Sequence, residues 1–318
     1  MSAPYPDTTR ARDRWILSHR GQRNAVDPGR PHTFFLEQER AESGEVVPVA
    51  TIFLTNRECP WRCLMCDLWK NTLAEFVPPG AIPAQIDHAL AALEPARQIK
   101  LYNSGSFFDS RAIPPEDHTA IAHRVRAFER VIVECHPSLV GEPVVRFRDL
   151  LGGKLEVAMG LETVHPEVLP RLNKRMTLEQ FSRAAAFLRQ HDIALRVFIL
   201  VKPPFLDEVG ALEWAQRSID FAFDCGAGVV SLIPTRLGNG ALEALAATGD
   251  FSPPRLTTLE AAAAYGVLSR RGRVFADLWD LEKFSDCAEC FAARLSRLEQ
   301  MNRTQEFQSG IQCQCGSR

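Results

Sequence analysis

Six short apolar runs, at residues 49–54, 99–102, 131–135, 155–160, 195–201 and 229–233, alternate along the chain with segments of helical periodicity. Ile82, Ile86, Leu90 and Leu93 keep one helical face after the first run, and Leu178, Phe181, Ala185 and Leu188 keep another before the fifth. Thr177 with Gln180 predicts a capping box at the start of the latter helix, and Thr257 with Glu260 predicts another after Pro253 and Pro254. Strands that alternate with helices pair in parallel, because each crossover returns the chain to the same edge, and such sheets are buried on both faces. The expected fold is therefore α/β, with residues 273–278 either a further edge strand or part of a cap.

Residues 1–48 break this rhythm: charge is balanced, Pro and Gly are scattered and only 15–17 and 34–36 are apolar, so an irregular extension is expected. Arg20 and Arg23 within it read as solvated surface or as a phosphate contact. The division that follows is an extension (1–48), a core (49–280) and a Cys-rich segment (281–318). A hydrophobic content of 46% with 24% charged residues describes a globular protein, and a net charge of −2 makes no global case for nucleic acid. No stretch approaches the ~20 apolar residues that span a bilayer, and the polar first residues lack a signal-peptide core, so a cytoplasmic protein without a membrane partner is expected.

Nine cysteines in that setting point to metal or redox chemistry rather than disulfides. Cys59, Cys63 and Cys66 follow the first apolar run at x3 and x2 spacing. Three such thiolates can hold three corners of a cubane [4Fe–4S] cluster and leave one iron open to a small molecule. The competing occupant is zinc, which usually draws on paired CxxC units or on Cys with His, and no His lies beside these three. Four further cysteines form the tail pairs Cys287/Cys290 and Cys313/Cys315, with Phe291, Leu295 and Leu298 between them at helical spacing. A helix that returns the chain to its start would bring these four thiolates into a closed structural site, for zinc in preference to an auxiliary [4Fe–4S] cluster. Cys135 and Cys225 border apolar segments and read as small buried side chains.

The x3–x2 cysteine spacing after a buried strand resembles the signature of the radical S-adenosylmethionine (SAM) superfamily. The resemblance implies an open (β/α)6 partial TIM barrel, whose strand-end loops converge on one mouth. It implies that Cys59, Cys63 and Cys66 hold a [4Fe–4S] cluster, that SAM chelates the unique iron, and that its reductive cleavage gives a 5′-deoxyadenosyl radical acting on a substrate C–H. A flavodoxin or ferredoxin-type electron donor is implied as well.

The same resemblance assigns SAM contacts residue by residue. Met65 stands where the family usually has an aromatic residue beside adenine. Ser104, Gly105 and Ser106 occupy the Gly-rich segment after the second strand, where a missing Cβ lets the backbone approach the methionine moiety. Glu134, in Val133-Glu134-Cys135-His136-Pro137, and Glu162, in Met159-Gly160-Leu161-Glu162-Thr163, match SAM-binding carboxylates of the anaerobic coproporphyrinogen oxidase-like and elongator-catalytic-subunit-like members. Lys174, in Leu172-Asn173-Lys174-Arg175, takes the place of a family cation that pairs with the SAM carboxylate, with Arg175 as the rival. Ser-Gly-Ser-Phe-Phe-Asp, Gly-Leu-Glu-Thr and the late cysteine pairs together most resemble the family around the radical SAM subunit of archaeosine synthase. That implies a modified tRNA base as substrate, with Arg20, Arg23, Arg146 and Arg148 as phosphate contacts.

Two other readings compete: a non-catalytic zinc-binding interaction protein, which would be colourless, and a radical SAM enzyme with a small-molecule or peptide substrate. A methylthiotransferase is disfavoured, because its additional three-Cys N-terminal domain has no counterpart in residues 1–48.

Overall fold

The computed structural model of the chain describes residues 4–313. Eight strands form one sheet in sequence order, curled into a half-barrel: β1 (Thr33–Arg40), β2 (Val46–Leu54), β3 (Gln98–Asn103), β4 (Arg130–Glu134), β5 (Lys154–Glu162), β6 (Ala194–Val201), β7 (Val229–Pro234) and β8 (Arg273–Ala276). From β2 onward every pairing is parallel, and β1 runs antiparallel to β2. The helices are α1 (Thr9–Ser18), α2 (Ala81–Leu90), α3 (His118–Val125), α4 (Glu142–Leu150), α5 (Val168–Arg171), α6 (Leu178–Gln190), α7 (Glu208–Asp224), α8 (Ala241–Thr248), α9 (Leu256–Ser269) and α10 (Ala288–Thr304). Among the described residues no helix is long and apolar enough to cross a membrane.

Alternation along the strands separates two faces. Ile52, Ile99, Leu101, Val131, Val133, Val157, Val197 and Ile199 pack with Ile82, Ile86, Phe181 and Leu188 from the surrounding helices. The opposite, concave face is charged at its lower end. Glu39 accepts from Arg196 (2.5 and 3.1 Å) and from Lys100 (2.5 Å), and Glu156 accepts from Arg196 (2.7 Å) and Arg130 (3.0 Å). Five strands are thus tied by one buried ion network, which Arg130 extends to Glu42 (2.5 Å).

Residues 1–48 are more ordered than an irregular extension: they supply α1 and β1. β1 is hard to read in sequence because its inward side chains, Glu37 and Glu39, are charged; Glu37 accepts from Lys100 (2.9 Å) and from the Thr51 hydroxyl. At the other edge, residues 273–276 do form a strand, and α10 covers it. Asn302 bonds both the N–H and the C=O of Ala276 (2.9 and 2.8 Å), and Gln305 does the same for Val274 (2.6 and 2.9 Å). Side-chain amides therefore continue the ladder where another strand would otherwise pair.

The box at Thr177 and Gln180 forms as expected, with reciprocal bonds of 3.1 and 3.0 Å. The one expected at Thr257 and Glu260 does not. α9 already begins at Leu256, and the Glu260 carboxylate is taken by Arg297 (2.9 Å) and Arg294. Two guanidiniums outcompete a backbone amide for one buried carboxylate.

Candidate active site

β2 ends at Leu54 and leads into the loop that carries Cys59, Cys63 and Cys66. Three polar clamps from other strand-end loops fix its course. Leu64 N–H donates to Leu172 O (2.9 Å), Asn173 Nδ2 donates to Arg62 O (2.8 Å), and Asn239 Nδ2 donates to Leu64 O (2.7 Å) and Cys66 O (3.3 Å). Asn173 sits at φ 57°, a left-handed conformation that asparagine tolerates better than most residues. Within the loop, Trp61 stacks on His136 (centroids 3.9 Å apart, planes 12° apart), worth about 0.5–1.5 kcal/mol. His136 Nε2 bonds Lys174 O at 3.1 Å, so that nitrogen carries the proton. Burial, then the Lys174 charge, brings the His136 pKa down to about 3, and the ring is neutral.

Burial dominates the electrostatics of the three thiols, and in each case a second cysteine of the loop adds to the rise. Burial pushes Cys59, Cys63 and Cys66 each up to about 12 in the absence of metal, while the Lys174 ammonium works against the rise at Cys63 and Cys59. A bound metal cation reverses that balance and takes thiols as thiolates. Gly105 backs directly onto this loop: a Cβ there would stand 3.1 Å from the Cys59 Cβ, closer than such contacts normally come.

The ends of β3, β4 and β5 complete the mouth. Glu134 is half-buried, accepts from Asn103 N–H (2.8 Å), and is pushed up to about 8 by burial, against the pull of that bond and of Lys174. The buried pair Lys174 and Glu162 is in contact across the mouth; burial disfavours the ammonium, but the Glu162 charge outweighs it and holds the Lys174 pKa above its ordinary value. A bulge between Gly160 and Glu162, with Glu162 at φ 67°, turns that carboxylate inward. Gly160 leaves room for this pair, since a Cβ there would displace both Glu162 Oε1 and Lys174 Nζ.

Lys174 rather than Arg175 points inward; Arg175 is exposed and pairs with Asp13. Met65 is half-buried and packs on Val168, Leu172 and Leu200. Ser104 N–H donates to Asn56 Oδ1 (3.1 Å), and Ser106 Oγ accepts from His136 N–H (3.2 Å), so both serine positions already have protein partners. Asn103 is the unsatisfied member of that segment: both ends of its buried amide lack a partner. Arg20 is half-buried and Arg23 exposed, and both are already paired. With Arg62 they surround the Glu58 carboxylate (Arg20 at 2.7 Å, Arg62 at 3.1 Å) one residue before Cys59. Arg146 and Arg148 lie apart on α4, the latter bonded to Asp149 and His191 O. Cys287, Cys290 and Cys313 converge as a separate thiol group at the start of α10, and Cys315 lies outside the described residues. Cys135 is buried and Cys225 half-buried, as their apolar surroundings suggest.

Sequence reasoning passed over Asn173, Asn239 and the Glu58 cluster. Their partners are 111, 175 and at least 35 residues away, or only four away in the case of Arg62, and only the last spacing leaves a local trace. Beside Glu58 a cleft of about 370 Å³ opens, lined by Arg23, Arg57, Arg62 and Arg111 together with Cys59. The Arg57 guanidinium lies over the Phe76 ring at 4.1 Å, and Arg111 pairs with Asp109 (3.0 Å).

No family model matches the chain. It is similar to archaeosine synthase subunit beta of Methanosarcina acetivorans, with 30% identity over 232 residues that span 68% of this chain and 66% of that protein. It also resembles methylornithine synthase, a radical SAM enzyme, with a TM-score of 0.52 at 12% identity over 84% of this chain and 68% of the other. The chain has the fold of the radical SAM enzymes. An uncharacterized protein of Methanocaldococcus jannaschii shares 23% identity with it over 257 residues, 76% of this chain and 70% of the relative. The likeness to methylornithine synthase is one of fold, and the cysteine loop of this chain follows β2, where its parallel pairing begins.

Proposed function

We propose that the mouth of this half-barrel holds a [4Fe–4S] cluster on Cys59, Cys63 and Cys66, binds SAM beside it, and acts on one C–H bond of a modified base in tRNA. The residues present fit such a pair. The donor set is three thiols in one clamped loop, Gly105 leaves no side chain between that loop and β3, and the buried Asn103 amide has two free bonding ends. When bound, the cluster and SAM supply one-electron chemistry that removes hydrogen from an unactivated carbon. A flavodoxin or ferredoxin-type protein would deliver the electron.

The chain's own part is to bind, orient and exclude water. Glu162 and Lys174 offer a carboxylate and an ammonium, and Glu134 a carboxyl group, to the amino and carboxylate groups of an amino-acid moiety, and Asn103 offers a neutral donor and acceptor. Met65 presents a polarizable apolar wall. Asn173 and Asn239 keep the cysteine loop at fixed depth, so the reacting carbon meets one geometry. The observation that carries this reading is the convergence of three thiols with the Glu134, Glu162 and Lys174 side chains at the strand ends.

The substrate half of the reading is supported by the relative's name and by the cleft beside Cys59, where four guanidiniums line a wall with one carboxylate. Such a wall suits a polyanion. Nucleosides from tRNA of cells with and without the gene should differ at one modified base, and tRNA binding should weaken steeply with added salt. Unchanged nucleosides, with tRNA bound no better than other polyanions, would transfer the reading to a small-molecule or peptide substrate.

A further inference from the structure

We infer that Cys287, Cys290 and Cys313 bind a single zinc ion, a structural clasp distinct from the barrel mouth and independent of the function proposed for it. Their three Sγ atoms lie within 4.8 Å of one another, and the Cys287 and Cys313 sulfurs are 3.8 Å apart. Zinc–sulfur bonds of about 2.3 Å at tetrahedral angles place neighbouring sulfurs about 3.8 Å apart. Cys287 and Cys313 therefore already stand at the edge length of a mononuclear site, and the Cys290 sulfur lies within 4.8 Å of both. A cubane cluster gives each thiolate its own iron, which spreads the ligand sulfurs more widely. Among the described residues no other three His, Cys, Asp or Glu side chains come this close, the trio Cys59, Cys63 and Cys66 included.

Cys287 is the N-cap of α10 and Cys290 its third residue, so both lie at the N-terminal end of a 17-residue helix, whose dipole suits an anionic metal–thiolate group. One turn further, Arg294 Nε donates to Cys290 Sγ at 3.1 Å and brings a positive charge to the sulfur group. Cys313 arrives by a reversal of the chain. Gln305 ends α10 at φ 55°, and Arg297 Nε and Nη2 hold Gln308 O at 3.0 and 2.8 Å on the returning strand of chain. Cys290 is buried, and Cys287 and Cys313 are half-buried. Zinc would replace the thiol protons, which leave to solvent, and would fasten the returning segment to the start of the helix that covers β8. Cys315 lies outside the described residues and is the sequence's candidate for the fourth ligand.

The test uses the full chain. A Cys59→Ala, Cys63→Ala, Cys66→Ala variant should carry one zinc per chain without acid-labile sulfide, and adding Cys290→Ser should lower the zinc content about tenfold or more. About four irons with sulfide in the triple variant, or no metal, overturns the inference. Should that variant fold poorly, cobalt(II) loaded into the metal-stripped wild-type chain serves instead. Tetrahedral ligand-field bands with thiolate-to-cobalt charge transfer should appear and be lost in Cys290→Ser. Bands that never develop, or that persist in Cys290→Ser, overturn it as well.

Discussion

Replacing Glu39 with Gln removes one of the two fully buried carboxylates that hold the concave face together. Glu39 is 8% exposed and serves Arg196, 2% exposed, and Lys100, 5% exposed, so the substitution leaves two buried cations short of a partner. Breaking a buried pair from one side costs about 3–5 kcal/mol. With an unfolding entropy of about 2.1 cal/mol/K per residue, a chain of 318 residues melts with roughly 0.7 kcal/mol/K. The melting temperature should therefore fall by about 4–7 °C. Adding Arg196→Met removes one of the two cations left short of a partner while Glu156 keeps Arg130, so the double variant should be less destabilised than the sum of the singles by about 1–3 kcal/mol. The pH dependence has a definite sign. Burial alone would raise the Glu39 pKa, but Arg196 and Lys100 hold it well below its ordinary 4.5. Its contribution is thus complete above that value and drains away as pH falls, and Glu39→Gln should lack this part of the acid loss. Thermal and urea unfolding of the metal-free protein, followed by circular dichroism, measures all three effects. A melting temperature within about 1 °C of wild type, or strict additivity in the double variant, would refute the reasoning.

Three further outcomes follow from the mouth. Gly160→Ala should force the Lys174 and Glu162 side chains apart and weaken SAM binding roughly ten- to a hundredfold in equilibrium dialysis; unchanged affinity would remove that pair from the SAM site. Because Glu134 is raised from 4.5 to about 8, the folded state holds its proton more tightly than the unfolded chain. The metal-free protein should then lose stability as pH rises from about 4.5 to 8, and Glu134→Gln should abolish that slope in urea melts; equal slopes in both proteins would contradict the assignment. Asn239→Ala frees the carbonyls of Leu64 and Cys66 at a local cost of about 1–3 kcal/mol. Reconstituted iron should be lost faster to a chelator, with the melting temperature little changed, and identical iron retention would deny the clamp its role.

The legible parts of this chain are those in which one segment carries its own pattern. Six of the seven parallel strands are apolar on the face that meets the helices, and the Thr177–Gln180 box closes within three residues. Three cysteines in one loop announce their chemistry without any knowledge of the sheet. β1 was not legible, because its inward positions are charged and find partners only when β3 and β6 curl round to face them. Thr257 and Glu260 carry the box pattern, yet Arg294 and Arg297 arrive from a later helix and claim the carboxylate. The choice between Lys174 and Arg175 likewise depends on a distant residue: Asp13 of α1 takes the arginine, and Glu162 takes the lysine. Long-range ion pairs and amide clamps, rather than propensity, decide what faces the mouth.

Anaerobic reconstitution with iron and sulfide, reduction, and measurement of SAM turnover tests the central claim most directly. The wild-type protein should be brown and should convert SAM to 5′-deoxyadenosine and methionine, and Cys59→Ala, Cys63→Ala and Cys66→Ala should each abolish the conversion. A protein that assembles the cluster yet leaves SAM intact, or undiminished cleavage in all three single variants, would contradict it.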